Sequence, residues 1–181
     1  MFHSNTETLI DYWRARKGSR GAPARADIDP AQFPGLLSQV FIAGQGEAGA
    51  WPLRLAGETL VEVHGAGLRG ADLIGLWAPG YRAPLQRALE AALRAPDLLV
   101  INAEASAREG DIRRLEILFA PLLGPSGAPD RFLGLYQPLG ASAGFGARPL
   151  GELRMRAIGG AGHAAASTGL RLAALDGRRI A

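Results

Sequence analysis

The stretch LLVINAEASAREGDIRRLEILF, residues 98–119, decides the fold of this chain. In its first half, every second residue from 101 to 105 is apolar and the residues between them are polar. The same alternation returns from 115 to 119, after a short loop of charged residues and glycine at 108–111. Alternation with a period of two predicts strands, and the short loop predicts an antiparallel hairpin. One apolar face per strand further predicts a sheet that is covered on one side.

Three more strands can be placed around this hairpin. Residues 40–43 and 51–56 predict an earlier hairpin, in which Leu55 faces the core together with the other apolar residues of its strand. Residues 132–137 predict the last strand, after a segment at 124–130 that is dense in turn residues. The expected sheet therefore has five antiparallel strands.

Helical patterns lie before and between the two hairpins. Residues 79–94 carry apolar side chains at helical spacing, and residues 58–77 read as short helices separated by glycine turns. The fold class predicted for the chain is α+β: a five-stranded antiparallel sheet with short helices on one face, plus an N-terminal helix.

The N-terminal helix is expected to begin at a capping box formed by Ser4 and Glu7. Leu9, Tyr12 and Trp13 lie on its apolar side. An amphipathic helix must bury this side, so these residues should contact a partner subunit or pack across the sheet.

The chain divides into three parts by composition. Residues 1–22 form the expected helix and a linker, and residues 23–140 form the domain. Residues 141–181 are rich in glycine, alanine and arginine, and are expected to be a flexible tail in which 170–175 could form one strand.

Composition and charge exclude several classes of site. The chain has 48% hydrophobic residues and no cysteine, which excludes disulfides, thiolate metal sites and cysteine nucleophiles. Its net charge of +3 combines +4 from residue 141 onward with −1 for the first 140 residues. A nearly neutral domain attracts nucleic acid weakly, so nucleic-acid binding is not expected.

Targeting signals are not visible in the sequence. The N-terminus has no basic segment followed by an apolar stretch, and the best apolar run, 117–123, is too short to span a bilayer. We therefore expect a cytoplasmic protein without a membrane segment.

Motifs for catalysis and metal binding are weak. Residues 65–70, GAGLRG, match a dinucleotide fingerprint, but a helix rather than a strand is expected before them, which favours a tight turn. The histidines, His3, His64 and His163, are scattered, so no metal site is expected. Glu104 and Glu116 should lie on the solvent face as cross-strand partners of arginines. No nucleophile and base pair is evident, and no catalytic residue is assigned.

One charged cluster stands out near the linker. Arg25, Asp27 and Asp29 could form a recognition surface for a partner or an anionic ligand, together with Tyr12 and Trp13. In the alternative interpretation, an Arg–Asp pair fixes the linker and Asp29 caps a short helix that starts at the following proline.

Several of these elements together resemble a PAS-like family that is common in alphaproteobacteria. The matching elements are Tyr12-Trp13, PARADIDP at 23–30, the Leu-Leu pair at 36–37, RLAGETLV at 54–61 and the glycine turn at 65–73. The resemblance spans residues 8–138. The chain departs from it at Glu58, where the family usually has Thr, so any contact made by that Thr is not carried over.

The resemblance implies a stand-alone sensory or protein-interaction domain in signal transduction, without enzymatic activity. It also implies a cavity between the sheet and the short helices, for which His64, Trp77 and Tyr81 are the candidate lining residues. The cofactor stays unknown, although the absence of cysteine excludes a cysteinyl flavin adduct or a thioester chromophore. The expected partners are a signalling protein and a second copy of the chain in a homodimer.

Two other functions stay open from the sequence alone. The first is an α+β enzyme with an acid and a base in its cavity. The second is a binder of nucleic acid or another anionic surface, through six arginines in the tail.

Overall fold

A computed structural model describes residues 1–108, 111–140 and 149–160 of the chain. Its six strands form one sheet in the order β2-β1-β5-β4-β3-β6, and all neighbouring strands are antiparallel. The strands are β1 (Val40–Gly44), β2 (Leu53–Ala56), β3 (Leu99–Arg108), β4 (Asp111–Leu123), β5 (Pro129–Leu139) and β6 (Arg154–Gly160). The α+β class is confirmed, with one strand more than predicted.

The helices connect and cover the strands. The α-helices in the described part are α1 (Ser4–Lys17), α2 (Glu58–His64) and α3 (Pro79–Arg94). Short 3-10 helices lie at Arg25–Asp27, Pro30–Gln32, Pro34–Gln39, Glu47–Gly49 and Leu73–Leu76. The predicted bounds of α3 are confirmed, because Pro79 suits its first turn and Leu85 and Leu89 give it a continuous buried face.

The sheet is covered on both faces, which corrects the prediction of a single covered face. The inner cluster lies between the sheet and α2, α3 and the 3-10 helix at 73–76, and it includes Leu115, Ile117 and Phe119 of β4. The outer cluster lies between the opposite face and α1, and it includes Leu118 of the same strand. Alternation fails as a guide here because β4 carries apolar residues on both faces near α1.

Helix α1 lies against the outer face, which is one of the two roles expected for it. Its cap is His3, whose Nδ1 accepts a hydrogen bond from the backbone of Asn5 at 3.1 Å, and not the predicted Ser4. The backbone N–H of His3 donates to Oε1 of Glu116 at 2.9 Å. Asn5 Nδ2 donates to Oε1 of Gln137 on β5 at 2.9 Å. Glu116 is only 4% exposed, so its predicted place on the solvent face is wrong.

A bulge in β2 reverses the direction of Leu55. Ile42 pairs with Leu55 and Ala43 pairs with Leu53, which leaves Arg54 as an extra residue between the two pairs. An extra residue shifts the following side chain to the other face of the sheet. Leu55 is consequently 43% exposed and not part of the core, contrary to the prediction.

The sixth strand comes from a stretch that was expected to be flexible. Strand β6 pairs with β3 from Leu99↔Gly160 to Glu104↔Arg154, and it lies beyond the expected domain boundary at residue 140. The buried side chains of Leu150, Leu153 and Met155 join the inner cluster and hold this segment in place. The expectation of a flexible tail is therefore corrected for residues 149–160. His163 and the expected strand at 170–175 lie outside the described residues.

Candidate functional site

The inner face of the sheet carries a polar pair that joins the sheet to the helices. His64 is the last residue of α2, and Gly65 follows it as a left-handed cap with φ of 63°. Tyr136 lies on β5, whose side chains on this face belong to the inner cluster. Nε2 of His64 lies 2.9 Å from the hydroxyl oxygen of Tyr136, and the two rings meet edge to face with centroids 5.7 Å apart.

Burial sets the protonation of this pair. It lowers the pKa of His64 to about 4 and raises the pKa of Tyr136 above its ordinary value, because both charged forms would lose their hydration. Near pH 7 the two groups are therefore neutral and share one hydrogen bond. Whichever group donates in that bond, the pair keeps one further N–H or O–H for another acceptor.

Trp77 contributes a second polar group to the same layer. Its side chain is fully buried, and its indole Nε1 is one of the buried polar atoms that lack a hydrogen-bond partner among the described residues. Its backbone is fixed, since the carbonyl accepts a 2.7 Å hydrogen bond from Nε of Arg82. A buried donor without a partner costs about 1–3 kcal/mol, and such atoms often mark the place of a water or a ligand.

The other proposed lining residue lies at the edge of this layer. Tyr81, in the first turn of α3, is partly buried and packs against the inner cluster. Trp51, near the β2 edge of the sheet, is a second indole of the inner cluster whose Nε1 has no hydrogen-bond partner within the described part of the chain. The sequence proposed His64, Trp77 and Tyr81 as the lining of a pocket. The structure places Trp77 in the inner cluster, Tyr81 against it and His64 beside Tyr136 of that cluster, and their role in a pocket stays a prediction. The sequence patterns do not predict Tyr136 as the polar partner of His64, because 72 residues separate the two.

The residues expected at an interaction surface have mostly internal roles. Trp13 is 2% exposed, and its Nε1 donates to the carbonyl of Pro121 at 2.7 Å. Its side chain therefore lies in the interior and not at the surface. The Tyr12 hydroxyl accepts a 2.7 Å hydrogen bond from the backbone of Asp29. Its ring packs edge to face on Phe33 with centroids 4.9 Å apart. These contacts fix the linker against α1.

The charged cluster also serves the local structure. Asp27 accepts hydrogen bonds from the backbone of Ala24 at 2.9 Å and from Arg20 at 2.6 Å, and these two contacts hold the pKa of Asp27 below its usual value. The Arg–Asp pair thus involves Arg20 instead of Arg25. Asp29 caps the 3-10 helix at 30–32, as predicted. Arg25 is exposed, and its part in an interaction surface stays a prediction.

The sequence patterns did not predict a groove that lies on the outer face of the sheet. It has a volume of about 270 Å³ and lies near the end of the β3–β4 hairpin, between Glu104, Arg114 and Arg156. Glu104 lies opposite Arg114 in the strand register, and its carboxylate pairs with Nε of Arg156 at 3.3 Å. Residues from β6 are needed to form this groove, and the sequence had placed them in the tail.

Other kinds of site find little support. Gly65 ends a helix and does not follow a strand, so the GAGLRG segment forms the expected turn and not a dinucleotide loop. Across the described residues, no three His, Cys, Asp or Glu side chains come together as a metal site. None of the described helices is both long and apolar enough to cross a bilayer.

Comparisons with known proteins identify the family. Solved structures similar to this chain include the LOV protein of Rhodobacter sphaeroides, with 21% identity, a TM-score of 0.45, and coverage of 64% of this chain and 70% of that one. A variant of RsLOV is similar at 22% identity and a TM-score of 0.46, covering 65% of this chain and 73% of that one. No curated protein matches the sequence. Residues 1–137 match the family described as PAS domain. The chain therefore belongs to the PAS domain family.

Proposed function

We propose that this PAS domain is a sensory module whose state is set by a small uncharged molecule held in its inner layer. The molecule would lie beside His64 and Tyr136, and the change would be passed to a partner protein by contact. The observation that carries the proposal is the neutral His64–Tyr136 pair, in which the tyrosine is buried, the histidine is half-buried and one hydrogen-bond donor remains to spare.

The chemistry of the inner layer favours an uncharged ligand with a hydrogen-bond acceptor. Among the described residues, this layer offers neutral donors: the indoles of Trp51 and Trp77 and the spare donor of the His64–Tyr136 pair. An anionic ligand would need a cation, because burying an unpaired charge is very costly. Arg82 is engaged with the carbonyl of Trp77 and with Glu152, and Arg113 has an interaction of its own. A carbonyl or ether oxygen satisfies the indole donors at much lower cost.

The same pair argues against an enzyme. A general acid or base works best when its pKa lies near the working pH. Burial moves the pKa of His64 to about 4 and moves the pKa of Tyr136 upward, so both are displaced away from neutrality. The pair is suited to holding a ligand by hydrogen bonds and poorly suited to exchanging protons with it.

The ligand can be sought with the intact protein and a matched pair of variants. The protein is incubated with a metabolite extract and washed, and the retained molecules are released by denaturation and identified by mass spectrometry. We expect uncharged molecules that are lost in Tyr136→Phe and kept in Tyr12→Phe, which removes a hydroxyl from the outer side of the sheet. Retention that is equal in the two variants, or steady conversion of a retained molecule, would contradict the proposal.

The output requires a surface, and we propose that a partner protein and a second copy of the chain provide it. Arg25 lies on a turn that Asp27 and Tyr12 hold rigid, so it could contact a partner without local reordering. Light scattering at several concentrations measures the oligomeric state directly, and a strictly monomeric protein would remove the homodimer from the proposal.

A further inference from the structure

A short segment of the chain closes the inner layer at the β3 side. This strap, residues 149–153, leads into β6 and is held by four backbone hydrogen bonds. Leu150 N–H donates to the carbonyl of Val63 at 2.8 Å, and Gly151 N–H donates to Ser106 at 2.9 Å. The backbone N–H of Leu153 donates to the carbonyl of Leu76 at 2.9 Å, and the carbonyl of Leu153 accepts from the backbone N–H of Ala78 at 2.9 Å. The strap therefore ties α2, β3 and the start of α3 together.

The strap contacts both parts of the proposed ligand site. Leu153 forms an isolated β-bridge with Trp77, and it is fully buried in the inner cluster. At the other end, the ring of Pro149 lies against Gly65, the residue after His64. A Cβ atom added at Gly65 would clash with Cγ of Pro149. One segment thus contacts both Trp77 and the end of α2.

We propose that the strap is the gate of the inner site, opening to admit the ligand, and that its docking responds to what the site contains. The inference rests on the proposed function, since it describes how that site is regulated. Binding and gating are reciprocal: if opening the strap changes the affinity of the site, then occupancy must change the opening of the strap by the same factor.

The contacts of the strap make its separate opening feasible. Opening breaks four hydrogen bonds and exposes Leu150 and Leu153, whereas the ladders among β1, β3, β4 and β5 stay paired. Segments with few buried side chains open at lower free energy than the whole molecule unfolds. Because the strap continues directly into β6, its release also affects the pairing of β6 with β3 at the edge of the sheet.

Two glycines provide a matched test. Gly65→Ala places a methyl group against Pro149 at a residue with φ of 63°. Gly70→Ala imposes similar backbone strain at φ of 83°, but a Cβ there meets nothing within 4 Å. The double variant Gly65→Ala with Pro149→Ala removes the ring that the methyl group meets, so it should restore the strap if the contact matters.

Hydrogen exchange reads the gate at defined atoms. The backbone amides of Leu150, Gly151 and Leu153 report the strap, and the unbonded indole N–H of Trp77 reports solvent entry beneath it. The indole of Trp51 is an internal control. It is also buried and without a partner in the described ranges, but it lies near the β2 edge, opposite the β6 edge.

The expected result is specific to one side of the molecule. Gly65→Ala should speed exchange of the strap amides and the Trp77 indole by about tenfold, with Trp51 unchanged. Gly70→Ala should leave the difference in exchange rate between the Trp77 and Trp51 indoles as it is in the parent protein. Adding Pro149→Ala to Gly65→Ala should reverse the effect of the glycine substitution. The gate is wrong if the strap amides exchange only with global unfolding, or if the strap opens and the Trp77 indole stays as slow as before. Because no ligand is used, these outcomes are independent of whether the metabolite search succeeds.

Discussion

At the scale of single residues, His64 links the chemistry of the site to the stability of the fold. Burial lowers its pKa from 6.5 to about 4, so the folded protein resists the protonation that the unfolded chain accepts. The hydroxyl of Tyr136 meets Nε2 of the neutral ring at 2.9 Å. Protonating His64 would place a charge in a layer built from apolar side chains and would remove its ability to accept a hydrogen bond.

This arrangement predicts a loss of stability in mild acid. Between pH 6.5 and 4 the unfolded chain binds a proton at His64 that the folded protein does not bind, so the free energy of unfolding rises with pH across this window. The stabilisation that comes from keeping His64 neutral is complete above pH 6.5, and the free energy of unfolding should be lower by about 2 kcal/mol at pH 5. Denaturant titrations of the parent protein and of His64→Gln at pH 7.5 and pH 5 measure the difference. Equal losses in the two proteins would show that His64 is not the group responsible.

At the scale of elements, β6 and the strap decide how the β3 edge of the sheet is closed. Leu150, Leu153 and Met155 bury their side chains in the inner cluster, and β6 pairs with β3 over most of its length. Without this segment, the edge of β3 would be exposed next to apolar side chains. An exposed apolar edge strand promotes association between chains.

Two truncated chains test this role of β6. A chain that ends at residue 148 lacks the strap and β6, and it should melt at a lower temperature and aggregate through the β3 edge. A chain that ends at residue 160 keeps both and is the matched control. Losing three buried apolar side chains should cost several kcal/mol, because burying each contributes about 1.5–3 kcal/mol. Equal melting temperatures for the two chains would show that β6 adds no stability.

The elements that could be predicted are those whose own pattern specifies them. Residues 79–94 repeat apolar side chains at helical spacing behind a proline, and the β3–β4 hairpin alternates around one loop. In contrast, β6 has the sequence RMRAIGG, whose glycines and arginines favour no structure. It is a strand because β3 offers an unpaired edge, and because Met155 and the preceding Leu153 are buried in the core.

The candidate site was predictable only in part. His64, Trp77 and Tyr81 were chosen because the resemblance to PAS domains implies a cavity between the sheet and the short helices, and their role there stays a prediction. Tyr136 could be assigned to the core, but its hydrogen bond to His64 depends on how α2 crosses β5. The predictions for Leu55 and Glu116 were wrong for similar reasons. The bulge beside Leu55 and the contact of Glu116 with the N-terminus of α1 are features of tertiary structure. Local patterns do not encode such long-range contacts.

At the scale of the whole molecule, one sheet serves as the wall between two layers. Neighbouring residues of β5 face opposite sides: Tyr136 meets His64 in the inner layer, and Gln137 accepts a hydrogen bond from Asn5 of α1 in the outer layer. Neither face of the sheet can be exposed without removing support from the same backbone ladder. The two layers should therefore not unfold independently.

This architecture predicts one cooperative transition that responds to damage on either face. Leu9 in α1 and Leu85 in α3 are both completely buried, one in the outer cluster and one in the inner cluster. Leu9→Ala and Leu85→Ala should each lower the free energy of unfolding by about 2–5 kcal/mol, because each leaves a cavity on its own side of the sheet. Tryptophan fluorescence and far-UV circular dichroism should report the same midpoint in each variant, although Trp13 lies in the outer layer and Trp51 and Trp77 lie in the inner layer. If Leu9→Ala instead gives an early fluorescence change followed by a separate loss of sheet structure, α1 is an independently unfolding element and the sheet does not couple the two layers.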